Sequence, residues 1–222
     1  MINPYYRKTS TVATPLERCL RRVEQDVLRM GSLVEQSFRL SHQCLFEGYL
    51  DAAEQIIKLD KEIDAYYRKI ELDCALIMTT QAPLAQDLRI LTASMQLVRD
   101  LERIGDYAQD LTEIAIKLLS YPPHPLLGEI KQMSYHAQFM LSTSLSALAS
   151  LDAATGLGVK QLDDVVDDAY ELLYQQLAYQ EIRGCVEPIL LLTLTIRHLE
   201  RMADHSTNIG QRVNYIVTGY RG

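Results

Sequence analysis

The residues in this chain whose types and spacing could do chemistry are acidic, and they recur in matched pairs. At about 100° per helical residue, Glu102, Asp106, Asp110 and Glu113 fall on one face of a single helix. Glu200 and Asp204 repeat the first pair, with Asn208 in place of the third acid. Upstream, Asp60, Asp64 and Glu71 line another face around Tyr67, and Asp163 and Asp167 repeat it around Tyr170, with Tyr174 in place of Glu71. Like charges four residues apart repel, so something must offset the repulsion. One solution is a hard cation, since carboxylate oxygens without Cys or His suit magnesium, manganese, calcium or ferric iron. The other is a salt-bridge network, with Arg99 and Arg103 beside the first pair and Arg197 and Arg201 beside the second, each able to grip a carboxylate in a fork. The residues alone leave both open.

These stripes need long helices to carry them. Apolar residues recur at three- and four-residue spacing, as in Val23, Val27, Met30, Val34, Phe38, Cys44 and Leu45, and no sustained two-residue alternation signals a strand. The pattern predicts an all-α chain of six helices, over about 15–48, 51–80, 83–120, 126–151, 155–183 and 187–218. Gly48 closes the first, Asp51 is expected to cap the second, and Pro83 and Pro188 suit first turns, where a missing N–H costs nothing. Gly156 and Gly158 are expected near the turn between the fourth and fifth helices. Pro122, Pro123 and Pro125 break the chain at its centre. Short connections between such helices imply antiparallel bundles.

The two halves repeat. A shift of 103 residues places Met133 on Met30, Asp163 on Asp60, Asp167 on Asp64 and Tyr170 on Tyr67. In the third helix of each half the shift is 98, which sets Leu199-Glu200-Arg201-Met202-Ala203-Asp204 on Leu101-Glu102-Arg103-Ile104-Gly105-Asp106. The expected organisation is a tail over 1–14, a three-helix bundle over 15–121 and a related one over 126–222.

Composition narrows the function. Of 222 residues 48% are hydrophobic, enough for a sizeable core, and the net charge of -7 disfavours binding to nucleic acid or to a bare anionic membrane. The segment Met1–Thr14 lacks the apolar stretch of a secretory signal, and the longest apolar run, Ile189–Ile196, is too short to span a bilayer. Cys19, Cys44, Cys74 and Cys185 are scattered, with no C-x-x-C or zinc-finger spacing, and read as reduced thiols of a soluble, cytoplasmic protein. No P-loop, Gly-rich nucleotide turn or nucleophile elbow is present. No Glu-x-x-His occurs, which argues against a di-iron enzyme on a helical bundle. A carboxylate-lined metal buffer or storage protein stays open. His198 and His205, seven apart on one face, read as a surface or interface feature rather than a metal site.

The segments LERIGDYA (Leu101–Ala108) and LERMADHSTNI (Leu199–Ile209) resemble the two signatures of the PhoU family of phosphate-signalling regulators. MGSLVEQS, LDKEID, QAPLAQDLRIL and VNYIVTG support the resemblance, in family order along nearly the whole chain. It implies two tandem three-helix bundles and acid-x-x-x-Asp motifs that bind metal clusters, variously iron, zinc, manganese or magnesium. On this chain those motifs are Asp60/Asp64 with Glu102/Asp106, and Asp163/Asp167 with Glu200/Asp204. His198 in place of Asp100, and Asn208 in place of Asp110, make the second set less negative. The resemblance further implies a homodimeric adaptor without a catalytic centre, cytoplasmic and peripheral to the inner membrane through its partners. Its role would be negative regulation of the phosphate-starvation response, linking the ATPase subunit of the phosphate transporter, PstB, to the sensor histidine kinase PhoR.

Overall fold

A computed structural model describes residues 13–182 and 184–220. Six helices follow in order: α1 (Pro15–Glu47), α2 (Ala52–Gln81), α3 (Ala85–Leu118), α4 (Leu127–Ser150), α5 (Ala153–Tyr179) and α6 (Glu187–Thr218). No strand occurs among the described residues. Most of the tail expected over 1–14 lies outside the described residues; Ala13 and Thr14 alone are described, and Thr14 begins the first helix.

Local chemistry sets the ends. The Thr14 hydroxyl accepts from Glu17 N–H (3.2 Å) while Thr14 N–H donates to the Glu17 carboxylate (2.8 Å), with Pro15 at the first helical position. Gly48 stops α1 in the left-handed conformation at φ 70°, which glycine adopts without a Cβ penalty. Three expectations need correction. Asp51 precedes α2 with right-handed helical angles and its side chain caps nothing. Pro83 stands outside α3, which begins at Ala85: its ring keeps Ala82 out of the right-handed helical region, so Ala82 turns left-handed at φ 44° and Leu84 is extended before the helix starts. Pro188 does lie in the first turn of α6. The fifth helix starts two residues earlier than expected because Asp152 caps it, accepting from Ala154 N–H (3.0 Å) and Thr155 N–H (3.1 Å). Gly156, expected beside the turn, is the fourth residue of α5. At its far end α5 stops at Tyr179, and Oε1 of the extended Gln180 accepts from His124 Nε2 at 2.9 Å.

The helices α1, α2 and α3 pack on one another, as do α4, α5 and α6, and the two sets join through α1 against α4 and α3 against α6. The outer helices α2 and α5 do not meet. One continuous core runs through both sets, from Val23, Val34 and Phe38 of α1 to Ile196, Met202 and Val213 of α6.

Polar contacts reveal how the halves are related. Asp100 meets His205, and their repeat equivalents His198 and Tyr107 meet with ring centroids 5.2 Å apart. Asp100 also meets Asn208 (3.3 Å), and the equivalents His198 and Asp110 approach to 3.9 Å. Between α1 and α4 the pattern recurs: His42 contacts Ser134, and their equivalents Leu145 and Gly31 are in contact too. Each contact has a mate with the partners exchanged, which is the signature of a two-fold axis. The sequence repeat is thus a half-turn in space.

Candidate carboxylate site

In the first half, α2 and α3 bring Asp60 and Asp64 toward Glu102 and Asp106. Burial, with Asp64 and Asp106 alongside, holds the Asp60 carboxyl above the usual carboxylate range. Burial and Asp106 do the same to Glu102, with smaller effects of Asp64 and Asp60. Burial also raises Asp106 despite Arg103, whose guanidinium lies 3.2 Å from it. All four acids expected together therefore feel one another across the two helices. Asp110 adds to the field at Asp106. Asp60 and Glu102 make no salt bridge among the described residues, while Asp64 is paired with Arg68 at 3.3 Å.

The second half repeats the arrangement between α5 and α6. Burial, then Asp163, raises Asp167, with Asp204 contributing. Burial and Asp204 raise Glu200, with Asp167 contributing, against Arg197 and Arg201. Arg197 donates to Glu200 (2.7 Å), Arg201 to Asp204 (2.8 Å) and Lys160 to Asp163 (2.8 Å). Asp163 is only 2% exposed, and its second oxygen, Oδ1, is buried without a partner. An ionised oxygen so placed is costly.

The two solutions open in the sequence thus coexist. Basic side chains three or four residues away hold one oxygen of Asp64, Asp106, Asp163, Glu200 and Asp204. Asp60, Glu102, Asp106, Asp167 and Glu200 stay above their ordinary range, first because they are partly buried and then because other acids face them. Among the described residues no three His, Cys, Asp or Glu side chains are gathered closely enough to form a coordination sphere. Their oxygen-only, anionic chemistry is the kind a hard cation takes, although as placed they do not close around one and Asp64, Asp106 and Asp204 stay partly open to solvent. Residues that would hold it are Asp60, Asp64, Glu102 and Asp106, and Asp163, Asp167, Glu200 and Asp204.

The seam between α3 and α6 is a polar cluster that sequence reasoning did not assemble. His205 Nδ1 donates to Asp100 Oδ1 (2.9 Å), Asn208 donates to the same oxygen, and Tyr107 lies against both histidines. The histidine pair is thus an interface feature. Seven-residue spacing signalled a shared face; nothing in the sequence named Asp100 as the partner.

A duplicated six-helix bundle with matched acidic faces in both halves defines a class of helical carboxylate proteins, and comparison with known proteins gives it a family. The PhoU domain matches residues 27–115 and 130–213, and the chain belongs to the PhoU family. It is 65% identical over 206 residues to the phosphate-specific transport system accessory protein PhoU homolog of Synechocystis sp., covering 92% of each chain. It is 32% identical over 203 residues to the homolog of Pseudomonas aeruginosa, covering 90% of this chain and 84% of that one. The crystal structure of PhoU from Pseudomonas aeruginosa superposes with a TM-score of 0.87 at 31% identity, covering 91% of this chain and 99% of that one. The phosphate transport system regulatory protein PhoU from Streptococcus pneumoniae gives 0.84 at 27% identity, covering 93% and 99%. No helix among the described residues is long and apolar enough to cross a membrane.

Proposed function

We propose that this protein is an accessory protein of a phosphate-specific transport system, acting as a regulatory adaptor that restrains phosphate uptake and the starvation response when phosphate is plentiful. The observation that carries the reading is near-full-length similarity, in both halves, to relatives named for that system. Its partners are the transporter ATPase PstB and the sensor histidine kinase PhoR, which it meets in the cytoplasm as a homodimer. Cations bound by the acid-x-x-x-Asp pairs Asp60/Asp64, Glu102/Asp106, Asp163/Asp167 and Glu200/Asp204 neutralise the facing carboxylates and tie α2 to α3 and α5 to α6. Five carboxyls pushed above their ordinary range support this part of the reading.

Affinity capture of the tagged protein from phosphate-replete cells is expected to recover PstB and PhoR homologues, and recovery of neither overturns the adaptor role. Elemental analysis of the purified protein is expected to find metal that falls in Glu102→Ala/Asp106→Ala and in Glu200→Ala/Asp204→Ala. Unchanged metal content in both variants overturns the site assignment.

A further inference from the structure

The half-turn relates two apolar recesses, one at each end of the molecule, and they differ in size. The one beside the C-terminus of α1 holds about 350 Å³, and the one beside the C-terminus of α4 about 80 Å³. Leu45, Leu118 and Pro188 line the first, and their repeat equivalents Leu148, Ile216 and Ile90 line the second. One further pair breaks the match. Both helices end on a residue in the left-handed conformation, Gly48 at φ 70° and its equivalent Leu151 at φ 53°. Leu151 holds a backbone conformation that L side chains disfavour, and its side chain packs on the core beside the smaller recess. Gly48 has no side chain, and a Cβ placed there would meet nothing within 4 Å. What Leu151 fills at one end is left open at the other.

The wall of the open recess is braced. Tyr121, Pro122, Pro123 and His124 form it, and the proline rings restrict the backbone. The Tyr121 hydroxyl donates to Glu187, the first residue of α6, and His124 Nε2 donates to Gln180 Oε1 (2.9 Å). Around this end Tyr49, Leu50, Leu119, Ile182 and Val186 are exposed apolar side chains. A small-molecule site buries most of its ligand within the pocket. An apolar pocket set among exposed apolar side chains has instead the anatomy of a protein-docking surface, where one buried anchor carries the affinity and its surroundings exclude water.

We propose that this recess takes a leucine or isoleucine side chain from a partner protein, the part that Leu151 plays within the molecule at the opposite end. The inference deepens the adaptor reading given above and rests on it. The molecule itself supplies the argument for the occupant, since a branched aliphatic side chain fills the same place, on the same helix ends, in the other half. A wall already fixed lowers the ordering cost of receiving it.

The test is biolayer interferometry of the immobilised full-length protein against a purified PstB homologue and a detergent-solubilised PhoR homologue. Wild type is expected to bind at least one of them. Gly48→Leu supplies the missing plug, and Leu119→Asp sets a charge at the mouth; each is expected to weaken that binding by about tenfold or more. Leu72→Asp, about 30 Å away along α2, is the control: Leu72 is more exposed than Leu119, 71% against 56%, and its loss should change nothing. Because Leu119 is exposed, its variant tests the recess even if Gly48→Leu does not fold. Binding that survives both recess variants, or that Leu72→Asp weakens equally, overturns the docking site and leaves the adaptor reading standing. Wild type that binds neither homologue overturns the adaptor reading, and this inference with it. Sedimentation velocity distinguishes the other occupant: a wild-type dimer that Gly48→Leu dissociates assigns the recess to a second copy of this chain and overturns the choice of partner.

Discussion

Lowering the pH should test the α1–α4 seam through a single residue, His42. Its ring is 4% exposed, with Nδ1 2.9 Å from the Ser134 hydroxyl and Phe46 and Tyr135 packed against it. Burial, aided by the Lys131 ammonium, lowers its pKa from 6.5 to about 4. The folded state thus refuses a proton that the unfolded state accepts. Stability from this group is complete above pH 6.5 and is lost progressively as the pH falls toward 4. At about 1.4 kcal/mol per tenfold change in proton affinity, the loss amounts to about 3 kcal/mol. The control is His42→Leu, which installs the residue that the half-turn already places at the equivalent position, Leu145. Urea unfolding of both proteins at pH 7, 5 and 4, in chelator, measures the difference. Wild type should fall relative to the variant by about 3 kcal/mol over that range, whatever offset separates them at pH 7. A difference that stays constant with pH refutes the argument that burial of this imidazole governs its protonation.

Other expectations follow from the same contacts. Glu102→Gln in the metal-free protein removes a repelled, unbridged carboxylate, and should raise stability by about 0.5 kcal/mol, read as a higher urea midpoint; with cation present the effect should reverse. Asp100→Ala strands His205 and Asn208 in the α3–α6 seam and should cost about 1–3 kcal/mol, with Asp100→Asn costing less; equal losses would mean that the seam is indifferent to those hydrogen bonds. Thr14→Ala deletes the hydroxyl half of the α1 capping box and should cost about 1 kcal/mol by denaturant unfolding.

Much of this arrangement is legible in one dimension because its causes are local. The 3-4 spacing of Val23, Val27, Met30 and Val34 defines a helix and its buried face, and all four are in the core. Gly48 and Pro188 punctuate as their backbone chemistry requires. The acid pairs lie on single faces because angular position depends only on helix pitch. The start of α5 departs from expectation because the Asp152 carboxylate reaches two N–H groups and begins the helix two residues sooner. Glycine more often breaks helices than joins them, so nothing local marks Gly156 as a residue of close helix packing. The Asp100–His205 bond and the unpartnered oxygen of Asp163 depend on how separate helices are set against each other, information that no single stretch of chain contains.

The half-turn between the halves has an implication for recognition. Rotating the molecule by 180° exchanges each helix with its repeat equivalent, so the helix arrangement offers a binding partner two related ways to approach. Discrimination must come from the places where the copies carry different side chains, such as Asp100 against His198, Tyr107 against His205 and Asp110 against Asn208. Those differences lie along the axis helices, α3 and α6, which makes that seam the natural source of orientation for an otherwise ambidextrous object.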